Sequence, residues 1–82
     1  MSSKDDILQE IKTSLLEILP DLDPASIVPD RSMKDLGANS IDRADVIIQT
    51  MEAFDLKFPL HELGALKNIG ELVDDLHRRL PG

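Results

Sequence analysis

The sequence predicts an all-α fold: a small four-helix bundle of three longer helices and one short one, with a long loop between helices one and two. Three observations carry this. Apolar residues recur at helical spacing in three separate stretches, and no convincing strand competes with them. Ser3, Asn39 and Asn68 stand immediately before those stretches, where helix N-caps belong. Pro20, Pro24, Pro29 and Pro59 fall between the stretches and not inside them. The 82 residues are expected to form one domain, 1–82. A domain this small buries a modest fraction of its surface. Two phenylalanines and no tryptophan or tyrosine leave a core of Leu, Ile, Val and Met. That composition suits an ordinary helical bundle, and equally a core soft enough to admit a ligand.

Helix one is predicted over Lys4 to Leu19. Ser3 caps it and Asp6 takes the capping-box position, although Asp is shorter than the preferred Glu. Ile7, Leu8, Ile11, Leu15, Ile18 and Leu19 make its apolar face, and Pro20 ends it. Residues 20 to 39 form an unusually long connection, a kind of segment that is often functional. Leu22, Ile27, Val28 and Met33 are expected to tack it onto the core. Ser32 to Leu36 reads as a short helical turn with Gly37 as its C′ glycine. Helix two is predicted over Ser40 to Phe54. Phe58-Pro59-Leu60 breaks the pattern, and a short third helix follows from His61 to Leu66. The last helix, Ile69 to Leu80, buries Ile69, Leu72, Val73, Leu76 and Leu80, while Arg78 and Arg79 suit the negative end of its dipole.

Helix two carries more apolar surface than one core face needs. Ile41, Ala44, Val46, Ile47, Ile48, Met51 and Phe54 cover an arc of about 220°. Asp42, Asp45, Gln49 and Glu52 fill the rest. Ile41, Ala44 and Ile48 then border acidic residues at the surface, a pattern that fits a docking face; cover by the loop or a neighbouring helix is the alternative.

Sixteen acidic residues against nine basic ones give a formal charge of −7. This argues against nucleic acid and anionic membrane and favours partners with Lys- or Arg-lined docking sites. The absence of cysteine excludes disulfides, thiol catalysis and thiolate metal sites. Met1-Ser2-Ser3-Lys4-Asp5-Asp6 has no basic and apolar leader pattern, and the longest purely aliphatic run is Val46-Ile47-Ile48, so a cytoplasmic protein is expected. Ser40 lacks the G-x-S-x-G elbow of a hydrolase nucleophile. His61 and His77 show no ligand spacing and read as solvated surface histidines. Asp21, Asp23 and Asp30 lack the glycine and closing Glu of a calcium loop, and Asp74 and Asp75 read as a solvated face.

The residue with the strongest functional signal is Ser40, in Asp35-Leu36-Gly37-Ala38-Asn39-Ser40-Ile41-Asp42. A glycine turn there runs straight into a helix, whose first turn favours an anion such as a phosphodiester on the serine hydroxyl. If Asn39 caps the helix, with Asp42 at its third position, the hydroxyl of Ser40 is spare. If Ser40 is itself the cap, it is nothing more.

The whole chain resembles the acyl carrier proteins. Helix one, the long loop, Leu36-Gly37 before Ser40, Asp42 two residues after it, Phe54, the Phe58-Pro59 break and the Asn68-Ile69 helix start fall in that family's order. The resemblance implies that Ser40 carries 4′-phosphopantetheine, added from coenzyme A by a phosphopantetheinyl transferase, and that the protein is a monomeric carrier and not an enzyme. It places partner contacts at Asn39, Ile41, Asp42, Arg43, Ala44, Asp45, Ile48 and Glu52. Asn39 stands where the family has an acidic residue, Arg43 is a cation among acids, and Leu60-His61-Glu62-Leu63-Gly64 is less acidic than its fatty-acid counterparts. These departures imply restricted partners. The run Gly37 to Asp45 looks most like the donor carriers of polyketide β-branching cassettes. Such carriers take an acyl group, here acetyl, from acyltransferase or ketosynthase-like loading enzymes and present it to a hydroxymethylglutaryl-synthase-like enzyme. A fatty-acid synthesis carrier and an unmodified helical adaptor are the competing readings.

Overall fold

The computed structural model describes residues 3–63 and 67–80. Helix α1, Lys4–Ile18, opens on a complete capping box: Ser3 Oγ accepts from the Asp6 N–H at 3.2 Å, and Asp6 Oδ2 accepts from the Ser3 N–H at 2.9 Å. The shorter Asp side chain therefore suffices. Ile7, Ile11 and Leu15 are fully buried, and Leu8, Ile18 and Leu19 pack against the core from its edge. The helix stops one residue before the predicted Leu19, because the residue preceding a proline is pushed out of the helical region.

The long connection has more structure than the sequence predicts. A 3₁₀ turn, Pro24–Ser26, is capped by Asp23, whose Oδ1 accepts from the Ala25 N–H at 3.0 Å. Ile27 is fully buried and Leu22 and Met33 are partly so, but Val28 is 38% exposed and does not anchor the loop as expected. Around Ser32 the predicted turn forms: Ser32 Oγ accepts from the Asp35 N–H at 3.0 Å, and the Ala38 N–H donates to the Met33 carbonyl at 3.0 Å across Gly37 at φ +99°. Only glycine adopts that φ without strain.

Helix α2, Ser40–Ala53, stops one residue before the predicted Phe54, which is its C-cap, and buries Val46, Thr50 and Met51. It ends in a Schellman motif in which the Leu56 N–H donates to the Met51 carbonyl at 2.8 Å and the Asp55 N–H to the Glu52 carbonyl at 3.2 Å. Asp55 holds the left-handed position, at φ +55°. Asp55→Gly is therefore expected to raise stability by roughly 0.5–1 kcal/mol, read as a higher midpoint in urea at unchanged m-value.

The predicted short third helix is a 3₁₀ turn, Leu60–Leu63. Its expected continuation, residues 64–66, lies outside the described residues. Helix α3, Ile69–Arg79, is capped by Asn68, whose Oδ1 accepts from the Glu71 N–H at 2.8 Å. It stops one residue before the predicted Leu80, which is extended ahead of Pro81. Ile69, Leu72, Val73 and Leu76 are buried as expected, whereas Leu80, past the helix end, is only half-buried against the core.

Helix α1 packs against both α2 and α3. The long loop is hung on α3 by its backbone: the Ile69 N–H donates to the Arg31 carbonyl and the Gly70 N–H to the Pro29 carbonyl, each at 2.9 Å. These bonds satisfy N–H groups that a helix start leaves without intrahelical partners. A side chain at position 70 would meet Pro29 Cβ at 3.2 Å, so the glycine permits the approach.

Asp75 corrects a sequence expectation. Asp74 is exposed and pairs with Lys4 at 3.0 Å, but Asp75 is buried, with Arg78 Nη2 on one oxygen at 2.6 Å and Arg79 Nε on the other at 3.2 Å. The Arg79 guanidinium lies 4.0 Å from the centre of the Phe58 ring. This cluster ties α3 to the segment that leads into the 3₁₀ turn. His77, expected on the surface, is half-buried.

Candidate functional site

The start of α2 settles which residue is the cap. Asn39 Oδ1 accepts from the Asp42 N–H at 2.8 Å, and Asp42 Oδ2 accepts from the Asn39 N–H at 3.3 Å. Both cap bonds are thus made without Ser40. Ser40 is exposed at the first position of the helix, and its Oγ accepts a hydrogen bond from Arg43 Nη2 at 3.3 Å. The Asn39 cap leaves a hydroxyl presented to solvent beside a guanidinium, in the helix turn whose N–H groups carry partial positive charge. Buried Ala38, immediately before the cap, fixes the chain against the core.

The expected partner residues divide by environment. Ile41 is 73% exposed and Ile48 is 41% exposed, both unusual for large apolar side chains. Asp45 and Glu52 are exposed, while Asp42, Arg43 and Ala44 are half-buried. Ile41, Asp45, Ile48 and Glu52 follow one another at intervals of four, three and four, so they share one stripe of α2. Apolar and acidic groups therefore interleave along that stripe, and the acids do not merely border it. Asp42 belongs to the cap, so its carboxylate is committed to the backbone.

A cleft of about 440 Å³ opens between α2 and the start of α3, and Arg43, which donates to Ser40, lines it. Met33, Ile47, Leu60, Leu63, Ile69 and Leu72 make its apolar lining. Lys34, Arg43 and Lys67 also line it. The two lysines were not singled out in the sequence; they lie far apart along the chain and only the fold brings them to one cleft. Among the described residues no three His, Cys, Asp or Glu side chains converge as metal ligands would, and no helix is long and apolar enough to cross a membrane.

The chain matches the family described as "Phosphopantetheine attachment site" over residues 9–76, which include Ser40. It is 39% identical over 77 residues to the polyketide biosynthesis acyl-carrier-protein AcpK of Bacillus subtilis (strain 168), covering 94% of each chain. It is 28% identical over 79 residues to an acyl carrier protein of Thermosynechococcus vestitus, covering 95% of this chain and 96% of that one. The structure is similar, with a TM-score of 0.81 and 42% identity, to a chain in the crystal structure of the curacin biosynthetic pathway HMG synthase in complex with acetyl donor-ACP. That likeness covers 89% of this chain and 94% of the other.

Proposed function

We propose a specific role from the premise that this chain belongs to the acyl carrier proteins, the family with a phosphopantetheine attachment site. Its members are carriers and not catalysts: the thiol at the end of the arm holds an acyl group, and partner enzymes do the chemistry. Ser40 is the attachment point, and residues 1–82 act as one carrier domain. In the modification, Ser40 Oγ attacks the phosphorus of coenzyme A that bears the pantetheine. A new P–O bond forms, the nucleotide bisphosphate leaves with the bonding electron pair, and the hydroxyl proton passes to the transferase. The observation that carries this reading is the Asn39–Asp42 capping box, which leaves the Ser40 hydroxyl exposed and outside the cap.

The group carried is acetyl, and the destination is a hydroxymethylglutaryl-synthase-like enzyme of polyketide β-branching. The likenesses to AcpK and to the curacin chain support this role. A phosphopantetheinyl transferase and acyltransferase or ketosynthase-like loading enzymes are the remaining partners. Recognition runs through the stripe of Ile41, Asp45, Ile48 and Glu52, with Asn39, Asp42, Arg43 and Ala44 beside Ser40. Ile41 and Ile48 supply apolar contact, and Asp45 and Glu52 meet partner cations. Such exposed pairs are individually weak and salt-sensitive.

Reversing Asp45 to Lys is expected to slow acetyl transfer to the synthase-like enzyme by roughly fivefold at low salt, and Asp45→Lys with Glu52→Lys by more. The circular dichroism spectrum stays unchanged, because both side chains are exposed. In the same assay, Asn39→Asp with Arg43→Thr should leave loading intact and slow transfer. Transfer rates that ignore all of these substitutions at matched loading would place the interface elsewhere and leave a generic carrier.

A further inference from the structure

We infer that Arg43 pairs with the phosphodiester on Ser40 and holds the root of the arm at the mouth of the cleft between α2 and α3. The inference rests on Ser40 being the attachment point. Arg43 Nη2 already lies 3.3 Å from the Ser40 Oγ, so the unesterified phosphate oxygens would come two bonds beyond an atom the guanidinium reaches now, through the phosphorus. Arg–phosphate pairs are often bidentate, which fixes direction as well as distance.

Charge supports the same pairing. Arg43 makes no ion pair with any carboxylate of the described residues, in a chain with sixteen acidic side chains. The acids beside it in sequence are otherwise placed: Asp42 is bonded into the cap and Asp45 is exposed on the α2 stripe. Lys34 and Lys67 line the same cleft, and neither makes an ion pair among the described residues. Three of the chain's nine basic residues therefore line one cleft, and one of them, Arg43, also reaches the serine that would bear an anion. A cation in the first turn of a helix is mildly unfavourable before modification. A phosphodiester removes that penalty. A partner carboxylate that took the guanidinium would in turn free the arm as the partner docks.

The test compares apo and holo forms of the wild type, Arg43→Gln and Arg43→Lys, after intact mass has established full loading of each. In the wild type, loading should shift the Arg43 side-chain Nε–H resonance. It should also raise the melting temperature by about 2–4 °C more than it does in Arg43→Gln at low salt. Arg43→Lys should retain part of that increment, and high salt should shrink it. Full loading with an unmoved Arg43 resonance and equal increments in wild type and Arg43→Gln would overturn the pairing alone. Absence of any phosphopantetheinyl mass on the wild type would overturn the attachment reading and this inference with it.

Discussion

Asp75→Ala is expected to lower stability by about 2 kcal/mol and the melting temperature by roughly 10 °C. Asp75 accepts from two arginines, and its side chain is only 13% exposed. The bond from Arg78 counts for little, since that side chain is 75% exposed and its charge is screened by water. The bond from Arg79, 27% exposed and stacked on Phe58, carries most of the effect. A charge-assisted hydrogen bond of this kind contributes about 1.5–3 kcal/mol. A domain of this size has on the order of 4–12 kcal/mol in total, so the loss is a large fraction. The consequence reaches the site, because Phe58 leads into the 3₁₀ turn whose Leu60 and Leu63 line the cleft. Arg79→Ala should cost a similar amount, and the double variant should cost clearly less than the sum, as partners in one contact do. Asp75→Asn, which keeps the shape and loses the charge, should fall between. A change within about 0.5 kcal/mol for Asp75→Ala, read from urea unfolding, would return Asp75 to the solvated face that the sequence suggests.

The helix starts were legible because the chemistry that makes them is local. Ser3 with Asp6, Asn39 with Asp42, and Asn68 each act within one helical turn, and Gly37 answers to its own φ. The helix ends drifted by one residue at Leu19 and Leu80, where proline's effect on its predecessor outweighed the continuing apolar pattern. The different fates of Asp74 and Asp75 depend on α3's rotation. Asp75 sits about 60° from Leu72 on the helical wheel and Arg79 only about 20°, so both flank the buried face while Asp74 points away. That signal was present, but Phe58 as the third member was not readable from spacing. The exposed stripe of α2 was half legible. The spacing of Ile41, Asp45, Ile48 and Glu52 stands in the sequence, but which of the α2 residues stay exposed depends on which arc the rest of the fold covers, and that is a tertiary outcome. The cationic cleft was not legible at all, since Lys34, Arg43 and Lys67 come from three segments that only packing assembles.

Ser40 is where the largest effect is expected, and it is all or none. Its hydroxyl takes no part in the helix cap, so Ser40→Ala should fold as the wild type does, with the same circular dichroism and an unchanged Asn39–Asp42 box. What it should lose is the covalent modification. The most direct measurement is intact mass after incubation with coenzyme A and a broad-specificity phosphopantetheinyl transferase. The wild type should gain the mass of one phosphopantetheinyl group, and Ser40→Ala should gain none. A wild-type protein that stays at its unmodified mass, or a Ser40→Ala protein that still gains the group, would contradict the assignment of this serine.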